Sequence, residues 1–174
     1  GELGGVGQEP IEARQRKLRE RVGAVVEPAA AHRVTEFLAE VIGAPFASGE
    51  SVELRSARRD PVLMGDQMRR AWEDWLDAEA ARAPVLLLLE DLHWGDLPSV
   101  RFIDAAARQL GRRPFMVLAV ARPEIYEWCP NIWTERSLTE VRLGRLADRA
   151  AEQLVREALD ADATTIARIV ARGD

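Results

Sequence analysis

A run of five apolar residues that ends in two acids is the feature that most constrains the fold of this chain. The run, Val85–Leu89 (VLLLL), follows Pro84 and is itself followed by Glu90 and Asp91. Its apolar residues are continuous rather than alternating, as in a central parallel strand with both faces covered. The run is also too short for a buried helix. It therefore predicts a buried β-strand that carries two carboxylates at its end.

A second apolar run predicts a neighbouring strand. It covers residues 115–121 and is followed by Arg122. Val141 and Leu143 predict a short third strand. Apolar residues at helical spacing predict helices over residues 97–110, 147–158 and 166–170. Strands that alternate with helices favour right-handed crossovers, so we expect an α/β fold with a parallel sheet flanked by helices.

The part of the chain before these strands is predicted to be largely helical. Apolar spacing predicts one helix over residues 11–22 and another that starts at Pro28. Asp60 and Pro61 are a typical cap and first residue of a third helix, which we expect to reach about residue 80. We expect core positions for the apolar side chains on one face of it, Met64, Met68, Ala71, Trp72 and Trp75. Residues 46–59 are expected to form a loop.

Composition narrows the classes of function. The chain has 174 residues, 47% of them apolar and 30% charged, as in a globular domain. We find neither an apolar stretch long enough to span a membrane nor a secretory signal, and the net charge of -5 argues against a general nucleic-acid surface. Cys129 is the only cysteine, so an internal disulfide is excluded. We therefore expect a cytoplasmic protein that binds neither membranes nor nucleic acid directly.

The glycine-rich start of the chain, GELGGVGQEP, is not a phosphate-binding loop. A loop of that kind needs a lysine for the phosphates and a hydroxyl for Mg²⁺, and here Gln8 and Glu9 stand at those positions. The only lysine of the chain, Lys17, has no glycine beside it. The chain therefore lacks this loop, and any nucleotide chemistry must depend on other residues.

The two strand ends offer such residues. Ligands of open parallel sheets bind at the carboxyl ends of the strands, where Glu90, Asp91 and Arg122 are expected. An acidic pair in this position can hold Mg²⁺ and orient or deprotonate an attacking water, and an arginine can stabilise a γ-phosphate. Two plainer readings stay open: an acid that only caps the next helix, and a surface arginine before a turn.

Three segments resemble the STAND-type signal-transduction ATPases of large bacterial regulators, a group related to the AAA+ proteins. The string PVLLLLEDLHWGDLPSVRFIDAAARQL resembles their Walker B region, FMVLAVARPE resembles the following sensor strand, and LTEVRLGRLADRAAEQLVREAL resembles the next strand and helix. The likeness covers about residues 60–172. It implies a partial P-loop NTPase-type three-layer fold and a regulatory switch that binds and hydrolyses ATP with Mg²⁺.

The resemblance also implies roles for individual residues. Glu90 would be the acid on the Mg²⁺ side and Asp91 the acid that activates water, both near the metal, and Arg122 would sense the nucleotide. Because the order Glu-Asp departs from the more usual Asp-Asp or Asp-Glu, the division of labour between the two acids stays open. His93 and Trp94 would form the corner between strand and helix, the histidine hydrogen-bonded and the tryptophan packed. Asp96 would cap the helix that follows.

The resemblance further implies how the chain is organised. Residues 1–59 would be the helical insert that precedes Walker B in members fused to serine/threonine kinases, and residues 60–174 the Walker B and sensor part of one ATPase domain cut at both ends. The phosphate-binding loop is then expected upstream of Gly1. We expect weak or no nucleotide binding by this segment alone. Its partners would be other domains of the same polypeptide, such as sensor, kinase, cyclase or DNA-binding parts, with self-association a further option.

Two other functions are compatible with parts of the sequence. The chain could be a scaffold or protein-interaction module that kept the fold and lost the chemistry. It could also be a metal-dependent phosphoesterase, because Asp91-Leu92-His93 and Gly95-Asp96 match short elements of such sites. Dinuclear sites of that kind need several histidines, and this chain has only His32 and His93, which weakens that alternative.

Overall fold

The chain forms two compact units, Gly1–Trp133 and Thr134–Asp174. A computed structural model describes residues 9–47, 51–133, 138–159 and 162–172.

Four helices form the beginning of the first unit. They are α1 (Ile11–Val25), α2 (Pro28–Val41), α3 (Val52–Ala57) and α4 (Pro61–Ala80). The structure confirms α1, α2 and α4 as predicted from apolar spacing. The prediction of a loop over residues 46–59 is wrong, because α3 lies within it; residues 48–50 are outside the described residues.

Local sequence signals explain where α2 and α4 begin and end. Asp60 caps α4, since its Oδ1 accepts hydrogen bonds from the N–H groups of Val62 (3.0 Å) and Leu63 (3.2 Å). Pro61 occupies the first helical turn, where its missing N–H leaves no helical bond unmade. After α2 the chain turns at Gly43, whose φ of +64° lies in the left-handed region that glycine adopts without steric penalty.

The four helices share one hydrophobic core. The Met and Trp side chains of α4 pack against it, as expected. Its buried members are Val22, Val26, Val34, Phe37, Leu38, Leu54, Ala57 and Ala71. The core therefore joins α1, α2 and α3 to α4.

Two parallel strands follow α4. Strand β1 (Val85–Leu89) pairs with β2 (Phe115–Ala119) in register, and α5 (Leu97–Gln109) connects them. A short helix, α6 (Ile125–Trp128), comes after β2. The strand–helix–strand order and the parallel pairing confirm an α/β arrangement with a parallel sheet in this unit.

Only one face of this sheet is covered among the described residues. Val85 and Phe115 pack with side chains of α4, of α5 and of the residue that ends α5, namely Leu76, Ala80, Ala106 and Leu110. On the opposite face, Leu86 is 59% and Met116 60% exposed. The expectation that both faces are covered is therefore wrong for these residues, because α4 and α5 lie on the same face.

In the described part of the second unit, α7 (Asp148–Ala158) and α8 (Ala163–Val170) lie at the predicted places. The predicted third strand is wrong. Residues 138–147 form no strand, and Val141 and Leu143 are 73% and 88% exposed. Their alternation fits a strand, but a strand needs a partner to satisfy its backbone, and the described residues supply none. Within the described ranges, no helix is both long and apolar enough to cross a membrane.

An ion pair connects α4 to the turn before β2, and it gives a test of the fold. Arg113 donates from Nε and Nη2 to the two carboxylate oxygens of Asp77, at 2.6 and 2.8 Å. These hydrogen bonds hold the pKa of the Asp77 carboxyl below its usual range. A lowered pKa in the folded state stabilises the protein above the unfolded pKa, about 3.9 for an aspartate, and this contribution disappears as pH falls through the folded pKa.

We therefore expect Asp77→Asn to lower the free energy of unfolding at pH 7 by a small amount. The difference from the parent should vanish at acid pH, below the folded pKa of Asp77. Urea unfolding between about pH 2 and pH 7 measures both. Because the pair is partly exposed, the difference at pH 7 should also shrink in about 1 M NaCl. A difference that is the same at every pH would contradict the assignment.

Candidate functional site

The paired strands bring the predicted site residues to one edge of the sheet. Leu89 and Ala119 are partners in the ladder, so the carboxyl ends of β1 and β2 lie side by side. Glu90 and Asp91 follow directly after Leu89, and Arg122 lies three residues after Ala119. The two acids and the arginine therefore follow the carboxyl ends of neighbouring strands, as the sequence predicted; their roles stay a prediction.

The backbone at Asp91 is unusual. Asp91 has φ 52° and ψ 37°, in the left-handed region that L-residues other than Asn and Asp rarely adopt. The N–H of Val120 donates to the Leu89 carbonyl (2.8 Å), and the Val120 carbonyl accepts from the N–H of Leu92 (3.0 Å). In a regular parallel ladder that second bond would come from Asp91. One extra residue is thus inserted, as in a β-bulge, and such inserts turn a side chain out of the ladder.

His93 lies in the short 3₁₀ turn Leu92–Trp94 that follows Asp91. Its ring Nδ1 accepts a hydrogen bond from the Arg122 N–H at 3.4 Å, and its main-chain carbonyl accepts from the Trp128 indole N–H at 3.2 Å. The histidine is therefore hydrogen-bonded, as expected for a corner residue.

Trp94 differs from its prediction. It is 77% exposed, and the ring contact the structure gives it is with the His93 ring, with centroids 4.9 Å apart. The prediction that it packs the corner is wrong. The space beneath the corner is filled instead by a small buried cluster consisting of Leu92, Val100, Ile125, Cys129 and Ile132.

Asp96, not the acidic pair, caps the next helix. Its Oδ1 accepts from the N–H of Ser99 at 2.7 Å at the start of α5. This backbone hydrogen bond holds the pKa of the Asp96 carboxyl below its usual range. The expected cap is confirmed. The plainer reading, in which Glu90 or Asp91 only caps the helix, loses its main support because another acid has that role.

The three predicted site residues carry charges without protein partners. Glu90, Asp91 and Arg122 are all exposed, and among the described residues their side chains form no hydrogen bond or ion pair. Some charged side chains elsewhere are paired, for example Arg108 with Asp104 at 2.8 Å and Arg113 with Asp77, while others in the described chain, such as Arg82 and Arg101, are exposed and unpaired like these three. An acidic pair and an arginine that are unpaired at one sheet edge can receive a cation and an anion, respectively.

The described residues hold no metal site on their own. They contain no group of three or more His, Cys, Asp or Glu side chains that could hold a metal ion. One cavity of about 270 Å³ lies around Glu36 between α1 and α2, and another of about 370 Å³ lies at the end of the strands opposite the acidic pair, around Pro84 and Pro114.

Comparison of the chain with protein-family models, with curated proteins and with solved structures gives no match. The indications of function therefore come from the sequence pattern and the geometry at the strand ends. One contributor to that geometry was not expected, since nothing in the sequence marks Trp128 as a partner of His93. The left-handed Asp91 was not expected either, although an acid followed by a short turn is a common place for that conformation.

Proposed function

We propose that this chain provides the Walker B and sensor part of an ATP-dependent regulatory switch, within a P-loop NTPase-type three-layer fold. One observation carries the proposal: the in-register strands bring Glu90, Asp91 and Arg122 to one edge, exposed and without protein partners in the described chain. The resemblance of EDLHW and its surroundings to the STAND-type ATPases supports it.

The residues at this edge fit a magnesium–nucleotide complex. Mg²⁺ is usually bound through one or two carboxylates together with substrate phosphates and water, so a full protein cage is not needed. The two acids after β1 supply carboxylates of the required kind, and Arg122 supplies a cation for phosphate. Bound there, the metal would neutralise charge on the phosphates.

Each residue then has a role in the proposed site. Glu90 and Asp91 would both lie near the metal, and one of them would accept a proton from the attacking water. Asp91 is the better candidate for that base, because its left-handed backbone directs it out of the ladder. The Arg122 guanidinium would contact the γ-phosphate, so its engagement would distinguish ATP from ADP. Domains outside residues 1–174 would respond to that difference.

A protein-interaction module is the second candidate. It is favoured by the exposed apolar face of the sheet, formed by Leu86, Leu88, Met116, Leu118 and Val120. A contiguous exposed apolar patch often marks a contact surface. This candidate requires no nucleotide, so nucleotide binding separates the two.

The test measures Mg²⁺-ATP binding and turnover by the polypeptide extended upstream of Gly1, beside the 174-residue chain. We expect the extended protein to bind and slowly hydrolyse ATP. The 174-residue chain should bind at least about 100-fold more weakly, because it lacks the charged hydrogen bonds that a phosphate loop and its lysine donate. Tight binding by the 174-residue chain would overturn the half-site proposal. An extended protein that neither binds nor hydrolyses ATP would favour the interaction module.

A further inference from the structure

His93 is bonded to two elements that follow β2. Its ring Nδ1 accepts from the main-chain N–H of Arg122 at 3.4 Å, and its carbonyl accepts from the indole of Trp128 at 3.2 Å. It is only two residues after Asp91. A single side chain therefore connects the turn that carries the acidic pair with the segment that carries the arginine.

The geometry selects one tautomer of the neutral ring. A neutral imidazole has one donor and one acceptor nitrogen, so a ring whose Nδ1 accepts carries its proton on Nε2. That Nε2 is buried and has no hydrogen-bond partner among the described residues. A buried donor without a partner lowers stability, and an apolar side chain of similar volume would avoid this. The buried Nε2 therefore has a cost that no described contact offsets, whereas Nδ1 gains the Arg122 hydrogen bond.

The bond is one of two that the structure gives the Arg122 backbone, whose carbonyl also accepts from the Ile125 N–H at 3.1 Å. Arg122 lies beyond the last ladder bonds of β2, which end at Val120. Pro123 follows it and has no N–H to donate. The His93 ring is the partner that the structure gives to the Arg122 N–H, and it sets where the arginine side chain begins.

We infer that His93 is a positioning residue that fixes the main chain of Arg122 relative to Asp91. This role rests on the proposed function, because it matters only if both residues face the same nucleotide. With the bond made, the guanidinium and the acidic pair keep a constant spacing. Without it, the Leu92–Val120 and Trp128–His93 bonds still join the two segments, but the main-chain N–H of Arg122 itself is no longer held. The affinity for ATP then falls while that for ADP, which has no γ-phosphate for Arg122, does not.

Two substitutions separate the functions of the two ring nitrogens. In His93→Asn the amide oxygen can take the place of Nδ1 and accept from Arg122, but nothing replaces Nε2. In His93→Gln the amide reaches the place of Nε2, and the acceptor at Nδ1 is lost. Circular dichroism shows whether both variants fold. Amide hydrogen exchange at Arg122 in the 174-residue chain then reports the bond itself, without any nucleotide.

In His93→Gln, the Arg122 amide hydrogen should exchange with solvent about fivefold to tenfold faster than in the parent. In His93→Asn, its exchange rate should stay near that of the parent. In the extended protein, the ratio of ATP affinity to ADP affinity should fall about fivefold to tenfold in His93→Gln. In His93→Asn, this ratio should stay close to that of the parent. A purely structural role would lower stability or weaken both nucleotides alike, and it would leave the ATP-to-ADP ratio unchanged.

Three results would overturn the inference. The first is an Arg122 amide that exchanges at the parent rate in His93→Gln; this result would show that the bond does not form. The second is an unchanged ratio of ATP affinity to ADP affinity in His93→Gln; this result would show that His93 does not position Arg122. The third is an extended parent that binds no nucleotide; this overturns the proposed function and the positioning role with it, while the exchange rates still report the bond independently.

Discussion

Asp91→Asn should lower the rate of ATP hydrolysis in the extended protein about 100-fold or more while ATP affinity changes little. An amide cannot accept a proton from the attacking water, so the loss falls on turnover rather than on binding. The backbone should remain as it is, because Asn, like Asp, adopts the left-handed conformation that the structure gives Asp91 at φ 52°. Single-turnover kinetics together with equilibrium nucleotide binding measure the two effects separately.

Asp96→Asn is the matched control for this experiment. It makes the same chemical change five residues further on, at a side chain that caps α5 through Ser99. Asn is as good a cap as Asp, so folding and turnover should both remain near the parent values. Equal losses in the two variants would show that any charge change in this turn disturbs the site. An Asp91→Asn protein that turns over at the parent rate would remove Asp91 from the proposed role and leave Glu90 as the candidate base.

The positions of the site residues could be predicted from sequence, but their connections could not. An apolar run that ends in Glu90 and Asp91 determines which end of the strand carries the carboxylates, and the parallel order then places Arg122 at the same edge. The extra residue at Asp91 depends on the ladder register beyond Leu89, which apolar patterns do not encode. The His93–Arg122 bond depends on it too, because the inserted residue sets where the 3₁₀ turn lies.

The helices and strands likewise fall into those that the sequence predicts and those that it does not. Long periodic helices such as α2 and α4 and the continuous runs of β1 and β2 were predicted because many apolar residues specify each one. Val141 and Leu143 show the limit of short patterns, since two alternating residues suggest a strand but do not provide its partner. The exposed face of the sheet shows another limit, because a continuous apolar run does not reveal which elements cover it.

Helix α3 was missed because its stability comes from tertiary contacts. Its sequence, VELRSA, has only six residues, and with two charged residues among them its apolar residues are too few to indicate a helix. The Ser51 side chain caps it by accepting from the N–H of Leu54 at 3.1 Å, and the same residue's N–H donates to the buried carboxylate of Glu36 at 2.8 Å. Leu54 and Ala57 are then completely buried in the core shared by α1, α2 and α4. Helices this short form only where such packing stabilises them.

Leu54→Ala should therefore lower the free energy of unfolding by about 3–5 kcal/mol, as for other fully buried leucines that leave a cavity. The effect is large compared with a total stability of about 5–15 kcal/mol for a typical domain. Val52→Ala is the matched control, because Val52 is in the same helix and is 65% exposed; its effect should stay within about 0.5 kcal/mol. Urea unfolding monitored by tryptophan fluorescence measures both, since Trp72 and Trp75 pack against the same core. Equal, small effects of the two substitutions would mean that residues 51–57 form the loop that their sequence suggests, and the helical core would then lack α3.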